Sequence, residues 1–344
     1  RMLLFAADGG GQPTGSALMT TNTDAHGDYR FDYVVAGTYV VVVDKANCTN
    51  LNGYAGSSGA TTNTTLAGDA NDHGLDTPVT MGAVTNGVAS APVTVGLGLQ
   101  PLDEVVANQE GMGTHGPSGD AGDNLVIDFG FTPTYSLGNR VFADANNNGA
   151  MDGADAGISN VTVKLFAANA FGNPVSNALA TATTDSNGYY RFDGLVAGTY
   201  VVAVDRLNSP GLAGYASSSG ASTNTALAGD TLDHGFDTPV TVGSMTNGIA
   251  AVAVTLGAGL QPTSEVAVGT AAGANGPTGD AGDNLTLDFG FTPAFSLGNR
   301  VFADTDNNGI QNNGEAGISN VVVKLFAADF SGSPTGSVVK AAAI

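Results

Sequence analysis

SLGNRVFAD, residues Ser136–Asp144, returns letter for letter at Ser296–Asp304, 160 residues further along the chain. A period of that size marks a polypeptide that works by repeating a folded unit rather than by building one site. Outward from this tract the same beat continues. TDSNGYYRF (Thr184–Phe192) answers TDAHGDYRF (Thr23–Phe31), and DHGFDTPVT (Asp233–Thr241) answers DHGLDTPVT (Asp72–Thr80). GDAGDNLTLDFGFTP (Gly279–Pro293) answers GDAGDNLVIDFGFTP (Gly119–Pro133). Arg1 therefore aligns with Thr162 and Val322. The repeat divides the 344 residues into 1–135, a unit without its opening strand and first acidic loop, 136–295, a complete unit, and 296–344, the opening of a third. Because the chain starts and stops inside units, a longer repetitive polypeptide is expected.

Within each unit the hydropathy alternates at period two, with no sustained helical period. In Asn160–Ala168, Val161, Val163 and Leu165 share one face and Thr162 and Lys164 the other. Tyr190 and Phe192 flank Arg191, and Tyr200, Val202 and Val204 form a third apolar face. In Asn284–Phe291 the inward set is Leu285, Leu287, Phe289 and Phe291, with Thr286 and Asp288 outward. Short strands with one buried face, separated by Gly, Asn, Asp and Pro, predict an all-β protein of tandem antiparallel β-sandwiches, Ig-like or transthyretin-like. Residues 207–228, rich in Ser, Gly, Ala and Thr, and 268–284, rich in Gly and Ala, read as long surface loops, some of them ordered against neighbours. Pro293 stops one unit and Leu297 starts the next pattern, so the link is short and offers little hinge freedom. Size scaling gives a 160-residue bead a radius of gyration of about 15 Å.

The formal net charge of −21, with ten basic residues, disfavours nucleic acid and anionic membranes as partners. Only 12% of residues are charged and 42% are hydrophobic, enough to fill a core. No apolar run approaches a membrane span. Cys48 is the single cysteine and Ser209 takes its place in the second copy, so no disulfide framework exists.

Chemistry concentrates in one loop. Asp304, Asp306, Asn308, Gly309, Asn312 and Glu315 stand at positions 1, 3, 5, 6, 9 and 12 of a twelve-residue stretch, with Ile310 at position 7. That is the spacing of an EF-hand calcium loop: oxygens at 1, 3 and 5 converge, glycine turns the chain, position 7 offers its carbonyl, and a carboxylate closes at 12. The preceding copy reads Asp144, Asn146, Asn148, Gly149, Asp152 and Asp155, with Ala150 at position 7. The shorter Asp155 is expected to reach one oxygen to an ion or to act through water. The competing reading is an Asx-rich turn without metal. Because the flanks are β-like, a Ca2+ held here is expected to stiffen the fold, not to open a helix pair.

GNRVF-x-D, the acidic loop, GISNVxVKLF, TD-xx-GxYxF and GTYVV together resemble the calcium-binding B-type repeats of serine–aspartate-repeat adhesins (SdrD B-like domains). Those belong to the wider collagen-adhesin B-type, transthyretin-like group. The resemblance is close over the first half of each unit and extends to the closing DHGFDTPV and NLTLDFGF strands. It implies a secreted bacterial cell-surface β-sandwich with calcium on the two loops. Some relatives in that group form a Lys–Asn isopeptide bond. Here there are four lysines, and Leu3 stands where the second copy has Lys164, which argues against a repeated crosslink.

Weaker signals also recur. Asp233, His234 and Asp237 match Asp72, His73 and Asp76, and Asp280/Asp283 match Asp120/Asp123. Each pair reads as turn capping or as a second cation site, and the histidine as a packing residue. Gly111, Gly113 and Gly116 spell G-x-G-x-x-G, but no strand–helix frame surrounds them. No nucleophile–base set repeats, so a non-enzyme is expected. The leading expectation is a structural repeat protein of an extracellular fibre, stalk or sheath, its partners being neighbouring repeats or further copies in a homopolymer. The alternatives are an adhesin holding glycan or host-surface protein on its loops, near Tyr54 and Tyr215, and a non-catalytic spacer of a secreted enzyme.

Overall fold

The computed structural model describes residues 1–57, 71–102, 111–153, 155–219, 231–263, 265 and 271–343. They fall into two compact units, Arg1–Pro293 and Ala294–Ile344. The described residues are all-β apart from short 3-10 turns, and none of their helices is long and apolar enough to cross a membrane.

In the first repeat β1 (Met2–Ala7), β2 (Pro13–Thr21), β3 (Gly37–Val43), β5 (Gly74–Met81) and β6 (Val84–Ser90) form a sheet in the order β2-β1-β3-β6-β5, with β7 (Val93–Val95) added to β3. β4 (Tyr54–Gly56) pairs separately with β8 (Phe131–Pro133). The second repeat reproduces the larger sheet with β11 (Thr162–Ala168), β12 (Pro174–Thr183), β14 (Gly198–Val204), β16 (Val240–Val242), β17 (Met245–Ala250) and β18 (Val254–Leu256). It also has a second, facing sheet. There β9 (Tyr135–Ala143) is the hub, joined by β10 (Ala156–Gly157), β13 (Tyr189–Leu195), β19 (Asp283–Asn284) and β20 (Phe289–Pro293), with β15 (Tyr215–Ser217) beyond β20. The sandwich is mainly antiparallel, but β19 and β20 run parallel to β9.

The β1–β2 and β11–β12 hairpins close in the same way. Asp8 Oδ1 accepts the Gly10 and Gln12 N–H groups at 2.8 and 2.9 Å, and Asn169 Oδ1 accepts those of Phe171 and Asn173 at 2.9 and 3.0 Å. This side-chain mimicry of a turn is why Asp and Asn sit there.

The core follows the alternation. Val161, Val163, Leu165, Tyr190, Phe192, Val202 and Val204 are buried together with Leu137 and Val141 of β9. Burying each such side chain is worth about 1.5–3 kcal/mol. Tyr190 fills the centre, and its hydroxyl donates to the Leu287 carbonyl at 2.7 Å. The opposite face of the larger sheet is also dry: Phe166, Val201, Ala203, Met245 and Ala250 form a second small core. The sheet curls to enclose it, and a Cβ at Gly243 would stand 3.0 Å from the Ser176 carbonyl oxygen, so the β16–β17 turn meets β12.

Three expectations are corrected. Residues 207–228 are not simply loop: 3-10 turns at Arg206–Asn208 and Pro210–Leu212 lead into β15, while 220–228 lie outside the described residues. Residues 268–284 hold 3-10 turns at Ala271–Gly273 and Asp280–Gly282 and then β19, with 268–270 outside the described residues. In 284–291, Thr286 and Asp288 do not face water but are 2% and 0% exposed. The Asp288 carboxylate accepts the Arg140 N–H at 3.1 Å, and its own N–H meets His234 Nδ1 at 3.4 Å. A polar residue inside a sheet edge is bound by such partners, so alternation alone misplaced it. His234 and His73, both 0% exposed, are packing residues, as expected.

Arg1–Pro293 contains the first junction between repeats. Thr134 donates its N–H to the Gly53 carbonyl at 2.8 Å, and Thr134 and Tyr135 are 6% exposed. That junction is packed, in keeping with the short link. In the second unit β21 (Val322–Ala328) and β22 (Pro334–Ala343) form an isolated hairpin. Its turn repeats the closure, Asp329 Oδ1 accepting the Ser331 and Ser333 N–H groups at 2.8 and 2.9 Å.

Candidate metal centre

Both twelve-residue loops sit between strand-like flanks. The first leaves β9 at Ala143 and returns as β10, where Ala156 pairs with Ala143 and Gly157 with Phe142. The second is closed by a bridge between Phe302 and Gly317. The backbone turns at the same places in each: Asn147 and Asn307 have φ of 57° and 56°, and Gly149 and Gly309 have φ of 74° and 75°. Asn tolerates this left-handed region and Gly adopts it freely, which explains both residue choices.

The hydrogen bonds repeat pair by pair. Asp304 Oδ1 accepts the Asn308 N–H at 3.1 Å and Oδ2 that of Gly309 at 2.8 Å; Asp144 does the same for Asn148 and Gly149 at 3.1 and 2.8 Å. Asn308 Oδ1 accepts from the Ile310 N–H at 2.7 Å, and Asn148 Oδ1 from that of Ala150 at 2.8 Å. At position 12, Glu315 accepts the Thr305 and Asn312 N–H groups at 2.8 and 3.0 Å, and Asp155 those of Ala145 and Asp152, both at 3.0 Å. Shortening Glu to Asp thus leaves the closing contacts in place. Position 9 also joins the centre: Asn312 Nδ2 donates to Asp306 Oδ2 at 3.1 Å, and Asp152 Oδ2 accepts from Asn146 Nδ2 at 2.9 Å.

Carboxylate oxygens of Asp304, Asp306 and Glu315 lie within 4.8 Å of one another. Like charges that close repel unless a cation joins them. The N–H of Gly309 holds the Asp304 carboxyl below the usual range, and that of Asn312 does the same for Glu315. Both are therefore anions at neutral pH, the state a hard cation requires. An all-oxygen donor set in which backbone N–H groups fix each carboxylate suits a calcium ion.

Sequence spacing missed what holds the first loop to the sandwich. Leu232 bridges Ala150, Asp233 donates its N–H to the Gly149 carbonyl at 2.9 Å, and Met151 donates to the Thr231 carbonyl at 2.6 Å. The recurrent Asp–His dipeptide was the available signal. Asp233 is fully buried, with Oδ2 accepting the Ser218 hydroxyl at 2.7 Å and Oδ1 the Gly235 N–H at 2.8 Å, whereas Asp237 is exposed. Asp280 and Asp283 do converge with Glu265, their oxygens within 4.8 Å, and Asp283 Oδ2 accepts the Gly276 N–H at 2.7 Å. The side chain of Asp76 and residue Glu104, the counterpart of Glu265, lie outside the described residues.

Lys164, the residue relevant to a crosslink, pairs with Asp205 at 2.6 Å. In the first repeat Leu3 is buried at the Lys164 position, and Arg1 reaches the equivalent Asp44 at 2.9 Å.

Comparison with known proteins places the chain among bacterial serine-aspartate repeat sequences. Residues 135–248 and 295–341 match the SdrD B-like domain family. The serine-aspartate repeat-containing protein F of Staphylococcus epidermidis is 35% identical over 206 residues, covering 59% of this chain and 9% of that protein. The serine-aspartate repeat-containing protein D of Staphylococcus aureus strain Newman is 30% identical over 314 residues, covering 90% of this chain and 16% of that protein. The chain thus spans less than a fifth of the length of either relative. The stretches 135–248 and 295–341, each opening on the repeated SLGNRVFAD tract and its acidic loop, are SdrD B-like domains.

Proposed function

We propose that this chain is part of an extracellular, cell-surface stalk or fibre of tandem β-sandwiches, each stiffened by a calcium ion in its opening loop. The observation that carries this reading is the pairwise repetition of hydrogen bonds through residues 144–155 and 304–315. Packing residues and ion-loop residues are what the copies share, which fits a mechanical role better than catalysis. Asp144, Asn146, Asn148, Asp152 and Asp155, with the Ala150 carbonyl, would hold one ion. Asp304, Asp306, Asn308, Asn312 and Glu315, with the Ile310 carbonyl, would hold the other. Each ion would join the end of one strand to the start of the next and cancel the loop's repulsion.

Similarity to serine-aspartate repeat-containing proteins supports the surface location. Thermal melting in millimolar calcium and in chelator tests the reading. Calcium is expected to raise the midpoint and sharpen the transition; superimposed curves would refute the stiffening role.

A further inference from the structure

In the second repeat, the turn 276–283 gathers carboxylates at the place where the first repeat touches it. Gly279, at φ of 73°, leads into the 3-10 turn Asp280–Gly282, and this fold brings Asp280 and Asp283 to Glu265. Two of the three carboxylates are held alike. Asp283 gives Oδ2 to the Gly276 N–H at 2.7 Å, and Glu265 gives Oε1 to the Leu285 N–H at 3.4 Å. The other oxygen of each, Asp283 Oδ1 and Glu265 Oε2, is shut off from solvent and meets no hydrogen-bond donor. Asp283 is 0% exposed. A buried carboxylate oxygen without a donor is rare, because nothing replaces the hydration it has lost. Thr278 Oγ1 is buried without a partner too, and it lies inside the same turn, where a Cβ on Gly282 would collide with it. Among the described residues no ion pair reaches the three carboxylates. Arg191, whose charge Asp283 feels, is held by Asp193 at 2.6 and 3.0 Å. The first repeat has the same turn without the same deficit. Gly116 donates to Asp123 Oδ2 as Gly276 does to Asp283, but His115 stands where the second repeat has Asn275, its Nδ1 3.4 Å from Asp123 Oδ1.

We propose that Glu265, Asp280 and Asp283 hold a calcium ion of their own, outside the two opening loops, with the Thr278 hydroxyl as a further oxygen. The donors are all oxygen, as a hard cation requires, and calcium bonds of about 2.3–2.6 Å let one ion span carboxylates gathered this closely. Two positive charges offset most of the repulsion among three anions, and the ion supplies the unpaired Asp283 and Glu265 oxygens with the partner they lack. The ion also acts on the joint between repeats. Gly53 of the first repeat lies so close to Thr278 that an added Cβ would stand 2.5 Å from its Cγ2. Fixing the turn 276–283 therefore fixes the surface on which the first repeat rests. The proposal stands on residues that take no part in the opening loops, so either site can fail without the other.

The test is equilibrium dialysis of the 344-residue chain against calcium, counting ions bound per chain, with hydrogen exchange as a second readout. Glu265→Gln/Asp280→Asn, at two partly exposed positions, is expected to bind one ion fewer than the wild type while keeping its circular dichroism. Asp280→Asn alone is expected to weaken the same site and stands in if the pair fails to fold. Asp144→Ala/Asp304→Ala is expected to keep this ion, and adding Glu265→Gln/Asp280→Asn to it is expected to remove it. Calcium is expected to slow exchange of the Gly279 and Gly282 amides in the wild type and in Asp144→Ala/Asp304→Ala, and to leave them unchanged in Glu265→Gln/Asp280→Asn. Equal ion counts in the wild type and the folded Glu265→Gln/Asp280→Asn variant would overturn the proposal. So would turn amides that exchange alike with and without calcium, since a shared proton or water would then satisfy the cluster.

Discussion

Asp304 and Gly309 are joined by a 2.8 Å hydrogen bond from the glycine N–H to Oδ2, and Asp144 and Gly149 by one of the same length. The bond requires the glycine's φ of 75°. A Cβ at Gly309 would meet nothing within 4 Å, so Gly309→Ala tests the backbone alone. It is expected to cost about 1 kcal/mol through left-handed strain and to weaken calcium binding at that loop. Gly153→Ala, also in open space but without positive φ, is the control and should be neutral in the same thermal melts.

Lys164 and Asp205 form a pair whose carboxylate is 0% exposed. Burial alone would raise the Asp205 carboxyl; hydrogen bonds from Lys164 and Asn208 outweigh it and hold the group below its ordinary value. Such a depressed carboxyl contributes stability above its unfolded value of 3.8 and loses it as pH falls through the folded value. Lys164→Met leaves the charge buried without its cation and is expected to cost about 3 kcal/mol at neutral pH. Urea unfolding at neutral and acid pH should show the deficit shrinking as Asp205 protonates.

Asp233 behaves in the opposite sense. Burial pushes its carboxyl from 3.8 up to about 6, despite bonds from Ser218 and Gly235. A raised carboxyl contributes fully below the unfolded value, and that contribution is lost as pH rises through about 6. Lowering the pH from about 7 to about 5 is therefore expected to add about 1.3 kcal/mol of stability from this group, the full contribution being reached only below the unfolded value. Asp233→Asn should flatten that part of the pH profile, measured by chemical denaturation.

Tyr190→Phe removes the hydroxyl that meets the Leu287 carbonyl at 2.7 Å inside the core. The ring still packs, so the expected loss is about 1–1.5 kcal/mol. Equilibrium unfolding that shows no loss would mean that the carbonyl finds another donor.

The sandwich was legible because Val163, Leu165, Val202 and Val204 alternate cleanly, and a period-two apolar face has one sheet to belong to. The acidic loops were legible because Asp, Asn and Gly recur at fixed positions in both copies, each matched to a turn or a side-chain hydrogen bond. What alternation did not reveal depends on distant partners. Thr286 and Asp288 are buried because Asn284, Arg140 and His234 meet them, and no local pattern records that. β15 was hidden in a Ser/Gly-rich tract because its pairing with β20 uses backbone groups that any residue carries.

Calorimetric titration of calcium into this chain, beside the Asp144→Ala/Asp304→Ala double variant, addresses the central claim directly. The account predicts a saturable heat in the wild type, with affinity tighter than or near the ~10⁻⁴–10⁻³ M of extracellular modules, and its loss in the double variant. No saturable heat in the wild type, or an isotherm unchanged by the two substitutions, would contradict it.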